Sequence, residues 1–296
     1  MHVSARTDPE GESGTDAFGY GPTDRAALLG AVREDIRHTL RTGWIDPSLE
    51  AAATSPVFFT AAWSAIRPNI GKSFLLVAKG VRTQAADLVR SWQDPPNLRK
   101  RLVATSNERD LVRMEEAARS AHQVTAKVAI VVHALHLAVR RQPIGGTGHE
   151  EPPVRRGIPE WQQWMTLKPV SIASRPLLEE ATATLDLPAA PATLRLFAPW
   201  PAAMEGLWRS VQPLTATAGW GDAVARLRRI VRAGVSTLPH PVELQWMALR
   251  EKGFTDAERT ELTDLLARHD EAMASQALLA AFAWLSFGSA EIALEA

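Results

Sequence analysis

Two stretches of the chain share one frame: PVFFTAAWSAIRP at Pro56–Pro68 and PAAMEGLWRSVQP at Pro201–Pro213. Each stretch has proline at both ends and tryptophan at the same internal position. Proline is favoured in the first turn of a helix and disfavoured in its interior, so the frame predicts a helix that begins at the first proline and ends at the second. Long amphipathic segments, 71–90 and 218–236, follow the two copies. The repetition predicts a duplicated all-α unit whose halves pack as an intramolecular pseudo-dimer with a cleft between them.

The composition is that of a globular protein without a strong charge bias. The chain has 296 residues, of which 46% are hydrophobic, with 33 basic and 33 acidic residues and no cysteine. A balanced charge gives no reason to expect a nucleic-acid or membrane partner, because both call for a basic excess. The absence of cysteine excludes disulfides, thiol nucleophiles and cysteine-based zinc sites. We therefore expect a small-molecule substrate. The oligomeric state is left open, with a homodimer as one possibility.

The segment 1–22 is polar and rich in glycine, and it lacks the apolar core of a secretory signal. It predicts a disordered tail and a cytoplasmic protein. The remaining organisation follows from composition. Residues 23–141 form the first predicted helical repeat, 142–172 a linker rich in proline and glycine, and 173–296 the second repeat. Trp161 and Trp164 in the linker suggest that it packs against the body of the protein.

Capping patterns place several helix ends. Thr23 opens a helix predicted to reach about residue 42, with Gly43 as its stop. Asp46 followed by Pro47 is an N-cap and first-turn pair. Asn107 is expected to start a long helix through Arg141. The sequence Thr255-Asp-Ala-Glu is a capping box for a helix expected to end near His269.

Two histidines, His133 and His136, lie one turn apart on a predicted helix, with His122 upstream. Such a pair can contribute two ligands to a metal, but a mononuclear site needs a third ligand, and no accompanying pattern supplies one. Two buried, hydrogen-bonded helix histidines are the favoured interpretation, so neither a metal nor another cofactor is predicted. A metal-dependent enzyme that uses all three histidines is kept as an alternative hypothesis. The chain also lacks a phosphate-binding loop, a dinucleotide fingerprint and a nucleophile elbow.

The short turn Thr-Gly-Trp-Ile-Asp-Pro holds the preferred pocket candidates. Trp44 is the preferred aromatic wall of a small-molecule pocket. Asp46 is the first carboxylate to consider as a general base, although its position before Pro47 is fully explained by helix capping. Asp186 is a second candidate, and its ordinary explanation is an exposed residue in a loop after a helix.

Four segments, in this order, resemble the group I, non-stereospecific 2-haloacid dehalogenases, whose members are also described as halocarboxylic acid dehydrogenases. They are EDIRHTLRTGW (Glu34–Trp44), PPNLRKRL (Pro95–Leu102), the stop Pro143-Ile-Gly-Gly146 and Ala198-Pro-Trp-Pro201. The resemblance implies an all-α tandem repeat with the active site between the halves. It also implies hydrolysis of D- and L-2-haloalkanoic acids to inverted 2-hydroxy acids, in which an Asp activates water and an Asn positions it.

The resemblance assigns positions in this sequence. The position of the general-base Asp, counted back from Pro201, falls on Thr193, and that of the water-positioning Asn falls on Thr125. Trp44 matches the family's pocket tryptophan, whereas a pocket phenylalanine position is Pro47 here. Trp44, Pro47 and Arg41 are therefore expected to bind substrate.

A threonine has no useful basicity near neutral pH. Three interpretations of the two threonines follow. Asp46 or Asp186 supplies the base, or Thr125 and Thr193 serve a different chemistry as hydrogen-bond donors to a small carboxylate. In the third interpretation, the protein is a non-catalytic homologue that binds a ligand or only dimerises.

Overall fold

The computed structural model describes residues 22–92, 94–146, 148, 151, 154–167 and 169–288. The regular secondary structure of this part of the chain is helical, which confirms the expected all-α class. The predicted tail lies outside the described residues except for Pro22. The twelve α-helices are α1 (Pro22–Leu40), α2 (Pro47–Ala52), α3 (Pro56–Ile66), α4 (Lys72–Trp92), α5 (Leu98–Leu102), α6 (Glu108–Val139), α7 (Arg175–Thr184), α8 (Ala192–Leu196), α9 (Pro201–Thr215), α10 (Ala218–Ser236), α11 (Trp246–Glu251) and α12 (Asp256–Phe287).

The core is built around α6 and α12, each 32 residues long. These two helices pack against each other more extensively than any other pair of described elements, and α4 and α10 cover them. Both start as the sequence predicts. Asn107 accepts a hydrogen bond from the N–H of Asp110, and Thr255 forms the complete capping box with Glu258. A well-capped start joined to a long apolar face is sufficient reason for each helix to form.

Among the described helices, α6 is long and apolar enough to cross a membrane by length and composition alone. Within the protein, 78% of its most apolar window is buried. Because α12, α4 and α10 contact this helix, its apolar residues already have protein partners.

The two frame helices begin as predicted but end differently. Pro56 and Pro201 occupy the first turn of α3 and α9, and α3 stops at Ile66, before Pro68. The second copy was predicted wrongly, because α9 runs through Pro213 to Thr215. Proline costs one hydrogen bond and crowds the preceding turn, but its fixed φ is helical, so a helix that ends two residues later can retain it.

Two other predicted helix ends also need correction. Arg41, not Gly43, stops α1 by taking the left-handed conformation with a φ of 58°. The helix expected to end near His269 continues to Phe287. Its second half contains neither glycine nor proline before Gly288 and is buried, so nothing local or tertiary interrupts it.

The predicted linker packs against the body, as its tryptophans suggested. Trp164 donates its indole N–H to Glu116 of α6 at 2.9 Å. The guanidinium of Arg113 lies 5.1 Å from the Trp164 ring centroid, and that of Arg119 lies 4.8 Å from the Trp161 ring centroid. This segment therefore adds a wall to α6 near the turn that joins α1 to α2.

Candidate active site

The turn between α1 and α2 is fixed by hydrogen bonds from Thr42. The N–H of Thr42 donates to the carbonyl of Arg37 at 2.9 Å, and its hydroxyl donates to the carbonyl of Trp44 at 3.1 Å. The N–H of Trp44 in turn donates to the Thr42 hydroxyl at 3.2 Å. These local bonds, together with the left-handed Arg41, direct Trp44 into the interior, where it is 2% exposed.

A buried polar chain extends from Trp44 across α6 to the linker. The Trp44 indole N–H donates to the Ser120 hydroxyl at 3.1 Å, and this hydroxyl donates to the Gln162 side-chain oxygen at 3.2 Å. All three side chains are buried. A buried donor keeps its stabilising value only if it has a partner, so this chain fixes the orientation of the indole.

Asp46 caps α2, as predicted, with only one of its two carboxylate oxygens. Oδ1 accepts the N–H of Ser48 at 2.8 Å. Oδ2 is buried and has no hydrogen-bond partner among the described residues. A buried polar atom without a partner is uncommon in folded proteins and is a reason to look for a function. The carboxylate can therefore accept a further donor, such as a water molecule or a substrate.

The surroundings of Asp46 change its acidity. Burial raises the pKa of this carboxyl, and the proximity of Ser48 and the positive charge of Arg195 oppose that rise without cancelling it. A raised pKa makes a carboxylate a stronger base, provided that the pH is high enough to ionise it. Arg195 follows α8 residue Thr193 by two positions, so α8 brings a positive charge towards the cap of α2.

The structure places the two threonines on helices of the same core region. Thr125 lies in the middle of α6 and Thr193 at the start of α8, and each is 1% exposed. Helix α6 packs against both α2 and α8. Asp46 thus caps a helix that contacts α6, Thr125 lies on α6 and Thr193 on a helix that contacts it, and all three side chains are closed to solvent.

The other predicted site residues, Pro47, Arg41 and Asp186, differ in their location and exposure. Pro47 is half-buried in the first turn of α2. Arg41 lines a cavity between α1, α4 and α6. Asp186 is exposed in a left-handed conformation with a φ of 50° after α7, in agreement with its ordinary explanation.

Sequence reasoning missed Ser48, Ser120, Gln162 and Arg195. None of these residues has a local pattern that signals a site. Ser120 and Gln162 meet Trp44 from distant points in the chain, and Arg195 reaches the surroundings of Asp46 through the placement of α8.

The predicted histidine pair is hydrogen-bonded, but to an unforeseen partner. His133 and His136 both lie with Nδ1 at 2.9 Å from the same oxygen of Asp270 on α12. His122 does not join them. It stacks on Trp284 with ring centroids 4.7 Å apart, and burial, followed by the charges of Arg82 and Arg90, lowers its pKa to about 3. The hypothesis of a metal-dependent enzyme, which requires the three imidazoles to converge on one point, is therefore wrong.

The side chains of His133, His136 and Asp270 each offer an atom within 4.8 Å of the others and could together hold a metal ion. Their mutual hydrogen bonds give a sufficient structural explanation. Each Nδ1–H satisfies the carboxylate, and the resulting cluster ties α6 to α12 inside the core.

No family model matches the sequence. A curated protein is similar over 278 residues, with 23% identity and coverage of 90% of each chain: a configuration-inverting 2-haloacid dehalogenase of Pseudomonas sp. (strain 113).

Solved structures with the same fold include D-2-haloacid dehalogenases. One structure, of a complex with L-LA, superposes with a TM-score of 0.79 at 16% identity and covers 88% of this chain and 92% of that one. A mutant D-2-haloacid dehalogenase gives a TM-score of 0.77 at the same identity, covering 88% of this chain and 91% of that one. This chain therefore has the all-helical fold of the D-2-haloacid dehalogenases and is similar over most of its length to a configuration-inverting 2-haloacid dehalogenase.

Proposed function

We propose that this protein hydrolyses the carbon–halide bond of short 2-haloalkanoic acids, with Asp46 as the base. The observation that carries the proposal is the buried Oδ2 of Asp46, which has no hydrogen-bond partner among the described residues and lies two residues after the buried Trp44. The similarity to 2-haloacid dehalogenases supports the same reaction class. A fold alone does not determine function, so the base is argued from the site.

The reaction needs few groups, and the site can supply them. A water molecule bound to Oδ2 of Asp46 transfers a proton to that oxygen while its own oxygen attacks C2 of the substrate. The new C–O bond forms as the C–halide bond breaks, and the halide leaves with the bonding electrons. Attack from the side opposite the halide inverts the configuration at C2. The indole of Trp44 provides an apolar wall, and the hydroxyls of Thr125 and Thr193 can donate to the substrate carboxylate.

We infer that the fold is a tandem repeat, with helices α1–α6 equivalent in order to α7–α12. Two observations support this inference. The final helices of the two halves, α6 and α12, have the same length of 32 residues. Arg41 and Asp186, which have the same spacing as the two proline frames, both adopt the left-handed conformation after the first helix of their half. We propose the boundaries 23–141 and 173–296 for the two repeats, around a linker at 142–172.

We further propose that the enzyme belongs to the non-stereospecific group and accepts both D- and L-substrates, as the resemblance at Glu34–Trp44 implies. Direct attack by water, without an ester intermediate, is compatible with either enantiomer when each one binds with its halide on the side of C2 opposite the water. A cytoplasmic location and a homodimeric state are expectations of the same kind.

The alternative function is binding of a small carboxylate without turnover. It is favoured by Thr125 and Thr193, which stand where the resemblance implies an Asn and an Asp. Under this alternative the Asp46 carboxylate only caps α2, and Trp44 and the two threonines line a cleft that holds a ligand.

Halide release from D- and L-2-chloropropionate tests the proposal. We expect the purified wild-type protein to release chloride from both. Asp46→Asn should reduce the rate by about 100-fold or more, because a positioned base typically contributes that much. Asparagine caps helices as well as aspartate does, so the thermal midpoint should not fall. Asp186→Asn is the matched control, since it changes an exposed aspartate, and it should leave the rate unchanged.

The pH profile gives a second readout. Lowering the pH protonates Asp46 and should reduce the activity. Since the pKa of Asp46 is raised, this loss should begin at a higher pH than the titration of an ordinary carboxyl group would give. Equal activity of wild type and Asp46→Asn would remove Asp46 as the base.

The double variant Thr125→Asn, Thr193→Asp separates the two functions. An inactive wild-type protein that gains chloride release with these changes would establish the binding alternative, in which the scaffold remains but the base is missing. An active wild-type protein whose activity depends on Asp46 would exclude it.

A further inference from the structure

We propose that a cavity between α1, α4 and α6 is a binding site for a multiply charged organic anion, separate from the site around Asp46. The cavity has a volume of about 440 Å³. Its lining contains six basic side chains: Arg41, Lys72, Lys79, Arg82, Lys127 and Arg155. No acidic side chain among the described residues lines it.

The basic residues form a floor and a rim. Arg41, Arg82 and Lys127 are half-buried and make the floor, whereas Lys72, Lys79 and Arg155 are exposed at the mouth. Arg41 reaches the cavity from a left-handed backbone position, which for a non-glycine residue costs about 1 kcal/mol. Its Nε is buried and has no hydrogen-bond partner among the described residues.

The charges of the cavity are not compensated by ion pairs with the described acidic residues. None of the six side chains forms a salt bridge in that part of the chain. The neighbouring carboxylate of Glu151 accepts the N–H of Ser73 at 2.9 Å. The ammonium of Lys127 donates to the carbonyl of Leu40, at the end of α1, at 2.8 Å, and this bond brings no negative charge.

Burial, together with repulsion between the basic side chains of the cavity, lowers the pKa values of Lys127 and Arg41. Burial, followed by the charges of Arg82 and Arg41, lowers the pKa of Lys127 to about 8. Burial and the charge of Arg155 lower the pKa of Arg41. Half-buried cations that repel one another are costly, and a bound anion would relieve that cost. The arrangement is therefore suited to an anion that meets several cations at once.

The charged and apolar residues of the lining indicate which class of ligand the cavity would bind. A single carboxylate, such as that of a 2-haloacid, engages one or two cations, whereas this cavity presents six. Leu75 and Leu76 of α4 line the same cavity and are 39% and 59% exposed. An organic molecule that carries phosphoryl groups or clustered carboxylates, with an apolar portion against these leucines, fits both features.

The residues that line the cavity do not include Trp44, Asp46 or Thr193, although Ser120, the partner of Trp44, lies on the same side of α6 as the cavity. Gln123 and Lys127 line the cavity, and Thr125 lies between them in the sequence of α6. Successive helical residues are about 100° apart, so Thr125 faces away from the side of the helix that carries the other two.

Pyrophosphate is the probe, and calorimetric titration of the full chain is the measurement. We expect wild-type protein to bind pyrophosphate, with weaker binding as salt is added. Arg82→Gln or Lys127→Met should weaken binding by about tenfold, as expected for the loss of one half-buried charge contact. The control Arg226→Gln removes an exposed charge from α10 and should change the dissociation constant less than about twofold.

Failure of wild-type protein to bind pyrophosphate would overturn the proposal, and so would equal weakening by Arg82→Gln and Arg226→Gln. Displacement of pyrophosphate by an excess of 2-chloropropionate would show that the two sites are one. None of these readouts depends on chloride release, so the result is independent of the proposed dehalogenase activity.

Discussion

Trp63 donates its indole N–H to Asp35, 28 residues earlier in the chain, across a distance of 2.8 Å. Trp208 makes the same kind of bond to Glu180, also 28 residues earlier, at 3.1 Å. These are the two tryptophans of the repeated proline frame. Each bond joins a frame helix to the first helix of its half, α3 to α1 and α9 to α7. The equivalence supports the tandem repeat proposed above.

The two tryptophan bonds should contribute similarly to stability. Trp63→Phe and Trp208→Phe each remove an indole donor to a carboxylate while keeping an aromatic ring. We expect each to lower the free energy of unfolding by about 1–2 kcal/mol, because the carboxylates retain other partners. Denaturant unfolding measures the change.

Trp246→Phe is the control for this pair, since the Trp246 indole N–H makes no hydrogen bond within the described part of the chain and its ring packs near Phe254. It should cost less than either frame variant. A large loss for one frame tryptophan and none for the other would argue that the bonds are not equivalent.

Gly43 allows the linker to approach the turn that positions Trp44. A Cβ at this position would lie 2.1 Å from the carbonyl oxygen of Gln162 and 2.8 Å from that of Met165. Gly43→Ala should therefore force the backbone apart and cost roughly 2–4 kcal/mol of folding stability. It should also lower activity, because Gln162 belongs to the hydrogen-bonded chain that holds Trp44.

Gly80→Ala provides the opposite case. A Cβ at Gly80, inside α4, would meet no atom within 4 Å. The same substitution should here stabilise the protein by about 0.5–1 kcal/mol, through the lower helix propensity of glycine. Equal effects of the two alanines on the unfolding midpoint would contradict this account of Gly43.

Asp270 should make the stability of the core pH-dependent. Burial alone would raise the pKa of this carboxyl, but the hydrogen bonds from His133 and His136, together with the charges of the two imidazoles, outweigh it and lower the pKa to about 2. A lowered pKa stabilises the folded state above the unfolded value, near 4, and this contribution disappears as the pH falls towards 2. Asp270→Asn should therefore cost about 2 kcal/mol at neutral pH and progressively less in acid.

Denaturant unfolding at several pH values, alongside Asp264→Asn as an exposed control on α12, measures this difference. The control should match wild type throughout. A gap between wild type and Asp270→Asn that stays constant from neutral to acid pH would contradict the ionic account.

Much of the secondary structure could be predicted from the sequence because its signals are local. Asp46, Asn107 and Thr255 each cap the helix that their neighbours predict, and Pro56 and Pro201 each begin one. The predicted helix ends were wrong where the structure does not follow the local sequence pattern. Arg41 takes a conformation that glycine usually takes, and α9 continues through Pro213.

The sequence by itself determined the helical class, most helix starts and the repeated frame, because capping, proline geometry and apolar periodicity act between residues a few positions apart. Only the tertiary structure decided which distant side chains meet. It left one oxygen of Asp46 buried without a partner among the described residues and brought Asp270 to two histidines more than 130 positions away. It also gathered the basic residues of one cavity from two helices, the turn after α1 and the linker. Such groups meet through the packing of whole helices, and no local pattern records which distant side chain will face them.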